Sequence, residues 1–218
     1  MSAPVAQAAR TEDELRRGWW LRVPAVLLSP RSVFAAIRDD SEIAARARQE
    51  PVAAIAGLAG IAGVLSTPVA RHLLNDPAYD GPVVAVWAFI GGAFYAVTLY
   101  WILGGCLYAA SHGLGSLGSY RRARHVLGFA AAPLALSLLT LWPVRIIVYG
   151  SDLFRTGGSD YGRGDALFGA VNLAFISWAV ALLVIGVRAV HGWTWGRAAA
   201  TVAMTAVFPA LLVLASVL

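Results

Sequence analysis

The residues whose types could do chemistry are few, and their spacing works against it. Gly113-Leu-Gly-Ser-Leu-Gly118 matches the GxGxxG pattern. That pattern cradles a dinucleotide only between the strand and helix of a βαβ unit, and here it follows a long apolar run. Gly113 reads as the end of a helix and the other glycines as a tight loop. His112, His125 and His191 could meet on one surface. A metal needs three or four ligands in fixed geometry, and no pair among them has the i, i+4 spacing of a helical zinc site. Hydrogen bonding is their expected role. Asp152, Asp160 and Asp165 lie in a Gly-rich stretch without calcium-loop spacing, and Arg155 and Arg163 neutralise them. The single cysteine, Cys106, sits in an apolar run, so no intrachain disulfide can form.

Inside the apolar runs, ionisable residues are almost absent. Asn172 is the best buried polar candidate, followed by Tyr95, Thr98, Ser137, Thr140 and Ser177. Proton-coupled transport or intramembrane proteolysis calls for Asp, Glu or His at membrane depth. Asn172 therefore reads as interhelical glue. No catalytic residue, cofactor or metal site is expected.

These residues belong to a chain of 218 residues that is 59% hydrophobic and only 13% charged. A soluble domain carries about 25% charged residues. The apolar residues fall in runs of about twenty, the length a helix needs to cross a bilayer core. All 17 basic residues are arginine and the net charge is +5. Because the arginines are scattered between membrane segments, anionic headgroups rather than nucleic acid are the expected partners. No cleavable signal peptide is evident: the first apolar stretch is short and broken by Arg22 and Pro24.

The pattern predicts an all-α membrane bundle with about five transmembrane helices and an amphipathic N-terminal helical arm. Residues 1–10 read as disordered and residues 1–50 as the arm, with the membrane domain over 51–218. The arm's second piece opens at Ser29-Pro30, with proline suited to a first helical turn, and carries Val33, Phe34 and Ile37 at helical spacing. It is expected at the membrane surface or against the bundle. The spans are placed at 52–70, 83–110, 126–148, 166–187 and 198–218, with a kink or early end in the third at Pro133 or Pro143. The loop over 151–165 is expected to be mobile. In the first span, Ala53, Ala56, Gly57, Ala59, Gly60 and Gly63 form overlapping small-xxx-small steps, and small residues let backbones approach closely in lipid. Gly57, Gly60, Gly63, Pro133 and Asn172 are the helix-packing candidates.

Orientation follows from arginine placement. Arg31, Arg38, Arg46, Arg48, Arg121, Arg122, Arg124, Arg188 and Arg197 fall on one side; Arg71, Arg145, Arg155 and Arg163 fall on the other. The N-terminus is expected to be cytoplasmic and the C-terminus outside, in the cell inner or plasma membrane. Arg121, Arg122 and Arg124 occupy an inner loop without acids and are the candidates for gripping anionic headgroups. A purely topological role, or pairing with the arm acids Asp39, Asp40 and Glu42, is the alternative.

Three segments together resemble the Yip1 domain family of multi-pass membrane proteins. They are Trp20-Leu21 through Ser29-Pro30-Arg-Ser-Val-Phe34-Ala-Ala-Ile37; Gly115-Ser-Leu-Gly118-Ser119-Tyr120 leading through Arg121-Arg-Ala-Arg124 to Pro133; and Trp178 through Gly186, Val190-His191-Gly192 and Arg197-Ala198. The resemblance covers residues 19–218. It implies five membrane helices with a cytoplasmic N-terminus and supplies no catalytic residues. Eukaryotic members are linked to small Rab-type GTPases and vesicle traffic. The compact, lysine-free chain looks more like a bacterial member, and GTPase binding is not carried over. The expected role is a non-enzymatic scaffold or accessory subunit of a membrane complex, whose partners are anionic lipids and other membrane subunits or a second copy. The alternative is a small-solute or ion transporter or channel.

Overall fold

The computed structural model describes residues 3–159 and 162–217. The described residues form helices and no strand: α1 Ala3–Leu28, α2 Pro30–Ala36, α3 Glu42–Leu65, α4 Gly81–Gly113, α5 Tyr120–Ala130, α6 Ala132–Tyr149, α7 Gly162–His191 and α8 Trp195–Val217, with 3-10 turns at Ala70–Asn75 and Gly150–Phe154. Among the described residues three helices are long and apolar enough to cross a membrane: Gly81–Gly113, Gly162–His191, and the pair α5–α6 taken with the turn that follows it, Tyr120–Phe154. Their surfaces support that reading. Phe89, Phe94, Ile147 and Leu173 lie exposed, and apolar surface on this scale suits lipid rather than water.

Several expectations change. Helix α1 begins at Ala3, so 3–10 are helical rather than disordered. Helix α3 runs through residue 50 without a break and carries Pro51 in its interior. The third span is indeed interrupted: the helix breaks at Ala131, and Pro133 lies in the first turn of α6, where its missing N–H has no partner to lose. The stretch 151–159 is not a free loop. Leu153 is buried there, and Thr156 is tied to Asn75 by two hydrogen bonds, of 2.6 and 3.0 Å.

The chain divides into two compact units. One comprises 1–54, 100–130 and 180–218. In it α2 packs by the apolar face read from its spacing: Val33, Phe34 and Ile37 are all buried. Each such side chain contributes roughly 1.5–3 kcal/mol relative to exposure. Phe34 meets Gly186 of α7 so closely that a Cβ there would sit 2.9 Å from its ring. Trp19 of α1 packs on Phe129 of α5, with ring centroids 5.5 Å apart.

The other unit comprises 55–99 and 131–179. Its core gathers Ala62, Leu65, Ala88, Trp142 and Leu153. Here α3 and α4 approach at the backbone. A Cβ on Gly60 would meet the Gly92 carbonyl and lie 2.5 Å from the Ala96 Cβ, and one on Gly63 would lie 2.7 Å from the Tyr95 ring. From the facing side, a Cβ on Gly92 would fall 2.7 Å from the Ile61 Cα. Among the described residues nothing lies within 4 Å of a Cβ built on Gly57, so it is not part of this α3–α4 contact. Gly60→Leu is expected to destabilise the protein by about 1–3 kcal/mol through overpacking, read as a lower unfolding temperature in detergent. A Gly60→Leu chain that melts with the parent would show that this helix face is not packed.

Candidate functional site

The polar groups that converge lie where the end of the arm meets α3, α5 and α7. After α2 the chain turns through Asp39 and Asp40 before α3 begins. The Asp39 carboxylate accepts the Ser41 amide at 3.0 Å, and that bond holds its pKa below the usual value. The Ser41 hydroxyl in turn accepts the Ala44 amide in the first turn of α3. These local bonds are the usual way a short polar side chain stops one helix and starts another.

Arg48 lies one to two turns into α3 and is fully buried. All three faces of its guanidinium are used. Nε donates to His125 Nδ1 at 2.7 Å, Nη1 to the Asp39 carbonyl at 2.6 Å, and Nη2 to the Asp40 carboxylate at 3.0 Å. Burial lowers its pKa from the usual value, while Asp40 works against that; an arginine stays charged regardless. Because His125 Nδ1 accepts from Arg48, the imidazole proton sits on Nε2, which faces Gln49 Oε1 at 3.2 Å. The Arg48 guanidinium also lies 5.7 Å from the centre of the Trp19 ring.

Asp40 is the hub. Besides Arg48 it meets Arg121 Nε at 3.4 Å and Arg122 Nε at 3.8 Å, and it accepts the Ser119 hydroxyl. Ser119 also accepts the Arg122 amide at 3.0 Å, so it caps α5 while bonding the hub. A carboxylate at a helix N-terminus is further favoured by the helix dipole. Arg121 reaches Glu42 at 2.7 Å and the Asp40 carbonyl at 2.8 Å; the same guanidinium holds the Glu42 carboxyl below its usual pKa. Arg122 donates to the Arg38 carbonyl at 3.0 Å. Arg38 donates to the Ala189 carbonyl in the last turn of α7, at 2.8 Å from Nε, which satisfies one of the acceptors a helix end leaves open.

Of the three inner-loop arginines read from sequence as headgroup ligands, Arg121 and Arg122 thus face the arm. Arg124 faces aromatic rings, 3.7 Å from the centre of Trp101, 4.8 Å from Tyr120 and 5.4 Å from Tyr100. Gly104 leaves room for its side chain, since a Cβ there would strike the Arg124 Cγ. Asn172 is half-buried on α7 and lies outside this cluster, as do Gly57, Gly60, Gly63 and Pro133. His191 lies near Gly118, while His112 meets the Tyr108 ring in a tilted contact with centroids 5.0 Å apart, so the three histidines do not form a common ligand set. Among the described residues no group of His, Cys, Asp and Glu could hold a metal ion.

Sequence reasoning missed the Arg48–His125 pair. A signal was present: Ala45, Arg48, Val52 and Ile55 recur at helical spacing and all are buried, which places Arg48 on the apolar face of α3.

Long apolar helices with lipid-compatible surfaces, joined to an arm tied down by arginine–carboxylate contacts, define a helical membrane protein. The Yip1 domain family model matches residues 25–217, nearly the whole chain, and the protein belongs to that family. No curated protein and no solved structure matches it.

Replacing Arg121 and Arg122 together by glutamine is expected to loosen the arm. Limited proteolysis of the variant would show faster cleavage within 38–48, by about 10-fold for a loss of some 1.4 kcal/mol of local protection. Unchanged cleavage would mean that these contacts do not hold the arm.

Proposed function

We propose that the protein is a non-enzymatic membrane scaffold or accessory subunit with five spans, its N-terminus in the cytoplasm and its C-terminus on the outer side of the plasma membrane. The observation that carries this reading is the use made of the polar residues. Arg48, His125, Asp40, Arg121 and Arg122 are engaged with one another and with backbone carbonyls, in an arrangement that holds segments together. The cavity lined by Leu107, Ser111, Arg122, Val126 and His191 measures about 10 Å³, room for about one water.

Five spans add α3 and α8 to the three helices of membrane length. Helix α3 supports a packing role, since Gly60 and Gly63 bring its backbone against α4. The arginine asymmetry supports a cytoplasmic arm. Partners of such a scaffold are other membrane subunits or a second copy.

The test uses a Cys106→Ala chain carrying either Leu117→Cys or Arg155→Cys, both at exposed positions. Intact cells are treated with an impermeant thiol reagent, and the protein is then purified in gentle detergent. The expected outcome is labelling at position 155 but not 117, together with a stoichiometric membrane subunit or a dimer. Labelling at 117 would reverse the topology. A bare monomer that moves a solute in proteoliposomes would replace the scaffold reading with a transporter.

A further inference from the structure

Four acids of the arm are committed. Asp13 pairs with Arg16 and Arg17, Glu50 with Arg16, Glu42 with Arg121, and Asp40 with Arg48, Arg121 and Arg122. Two arginines of the same unit meet an aromatic ring instead. The Arg188 guanidinium lies 4.5 Å from the centre of the Trp195 ring, and that of Arg31 lies 5.8 Å from it. Among the described residues, neither has a carboxylate within ion-pairing distance. The Arg188 Nε is buried without a hydrogen-bond partner.

The three residues come from three elements. Arg31 is in the first turn of α2, Arg188 in the last turn of α7, and Trp195 opens α8. Trp195 is 46% exposed, so the platform is accessible. The stretch 188–197 also carries Trp193 and Arg197, whose guanidinium lies 4.2 Å from the Trp193 ring centre, and it contains no acid. Tryptophan and arginine at helix ends are the side chains that settle at headgroup depth.

We infer that Arg31 and Arg188, set against Trp195, form a binding site for the phosphate of an anionic phospholipid headgroup. Two guanidinium groups without a counter-charge attract a phosphodiester anion and present the fork geometry that its oxygens fit. The positive end of α8 adds to the attraction, and the indole gives the acyl–glycerol region an apolar surface. Contact with one ring restricts the two guanidinium groups, so less side-chain freedom is lost on binding. Headgroup binding thereby moves from the loop at Arg121, where the arm supplies the anions, to the junction of α2, α7 and α8. This inference rests on the reading of the chain as a membrane protein with its arm docked.

Native mass spectrometry of the full chain, released from nanodiscs of mixed phosphatidylglycerol and phosphatidylcholine, tests it. The parent is expected to retain phosphatidylglycerol selectively. Arg31→Gln with Arg188→Gln should cut that retention by roughly 10-fold or more, from about 1 kcal/mol per arginine at the surface, while phosphatidylcholine adducts and arm proteolysis stay as in the parent. Equal phosphatidylglycerol retention in the variant overturns the site. So does a loss confined to the Arg121→Gln, Arg122→Gln chain. Displacement of the lipid by millimolar inorganic phosphate would show a site for the free ion and overturn the lipid assignment. If the glutamine pair does not fold, Arg31→Lys with Arg188→Lys keeps the charge and removes the fork. Retention lowered several-fold in that chain supports the site, and full retention counts against it. An arm cleaved as fast in the parent as in the Arg121→Gln, Arg122→Gln chain, with phosphatidylglycerol retention still lost on replacing Arg31 and Arg188, would mark a failure of the docked-arm reading and not of the site.

Discussion

One buried charge organises the unit that holds the arm. Arg48 has left water entirely, and a desolvated guanidinium is tolerable only when its donors find acceptors. Those acceptors come from separate stretches of chain: the Asp39 carbonyl and Asp40 carboxylate from the turn after α2, and His125 from α5. Meeting Arg48 therefore forces the arm's end, the start of α3 and the start of α5 together. Once Asp40 is in place, Arg121, Arg122 and Ser119 gather on it, and Arg38 is brought to the end of α7. A buried ion pair is a weak source of net stability compared with well-packed apolar residues. Its use here is to specify where the arm docks.

The other unit relies on a different device. Within lipid, apolar side chains gain little by leaving one apolar surrounding for another, so close packing has to hold helices together. Gly60 and Gly92 remove the side chains that would keep α3 and α4 apart, and backbone meets backbone there. Polar contacts serve this unit elsewhere, in the Asn75–Thr156 bonds and the Arg71–Asp165 pair at 3.5 Å. Arg145, also buried, lies 4.9 Å from the Trp142 ring centre and 5.6 Å from that of Phe168.

Much of this was legible in the sequence. Apolar run length revealed the three helices of membrane length among the described residues, because the bilayer core sets a minimum length for a crossing helix; the runs at 52–70 and 198–218 are not among them. Pro133 marked the break in the third span because proline cannot continue a helix without loss. The spacing of Val33, Phe34 and Ile37 identified the buried face of α2. The candidate site was less legible. Counting arginines assigns each to a side of the membrane and does not choose its partner, so headgroup binding and pairing with Asp39, Asp40 and Glu42 stayed open for Arg121 and Arg122 until Asp40, some eighty residues earlier, was found beside them. Gly57 and Gly60 are alike in a small-residue pattern, and only the position of α4 separates the packed one from the open one.

The Arg48–Asp40 contact is what fixes the arm. A double-mutant cycle between Arg48→Met and Asp40→Asn, read by unfolding in detergent, tests it most directly. Asp40→Asn alone leaves a buried guanidinium short of its anion and is expected to cost about 3 kcal/mol or more. Adding Arg48→Met removes that charge, so the double variant should recover part of the loss, with a coupling of about 1–3 kcal/mol. Additive effects, with coupling below about 0.5 kcal/mol, would mean that the contact does not fix the arm.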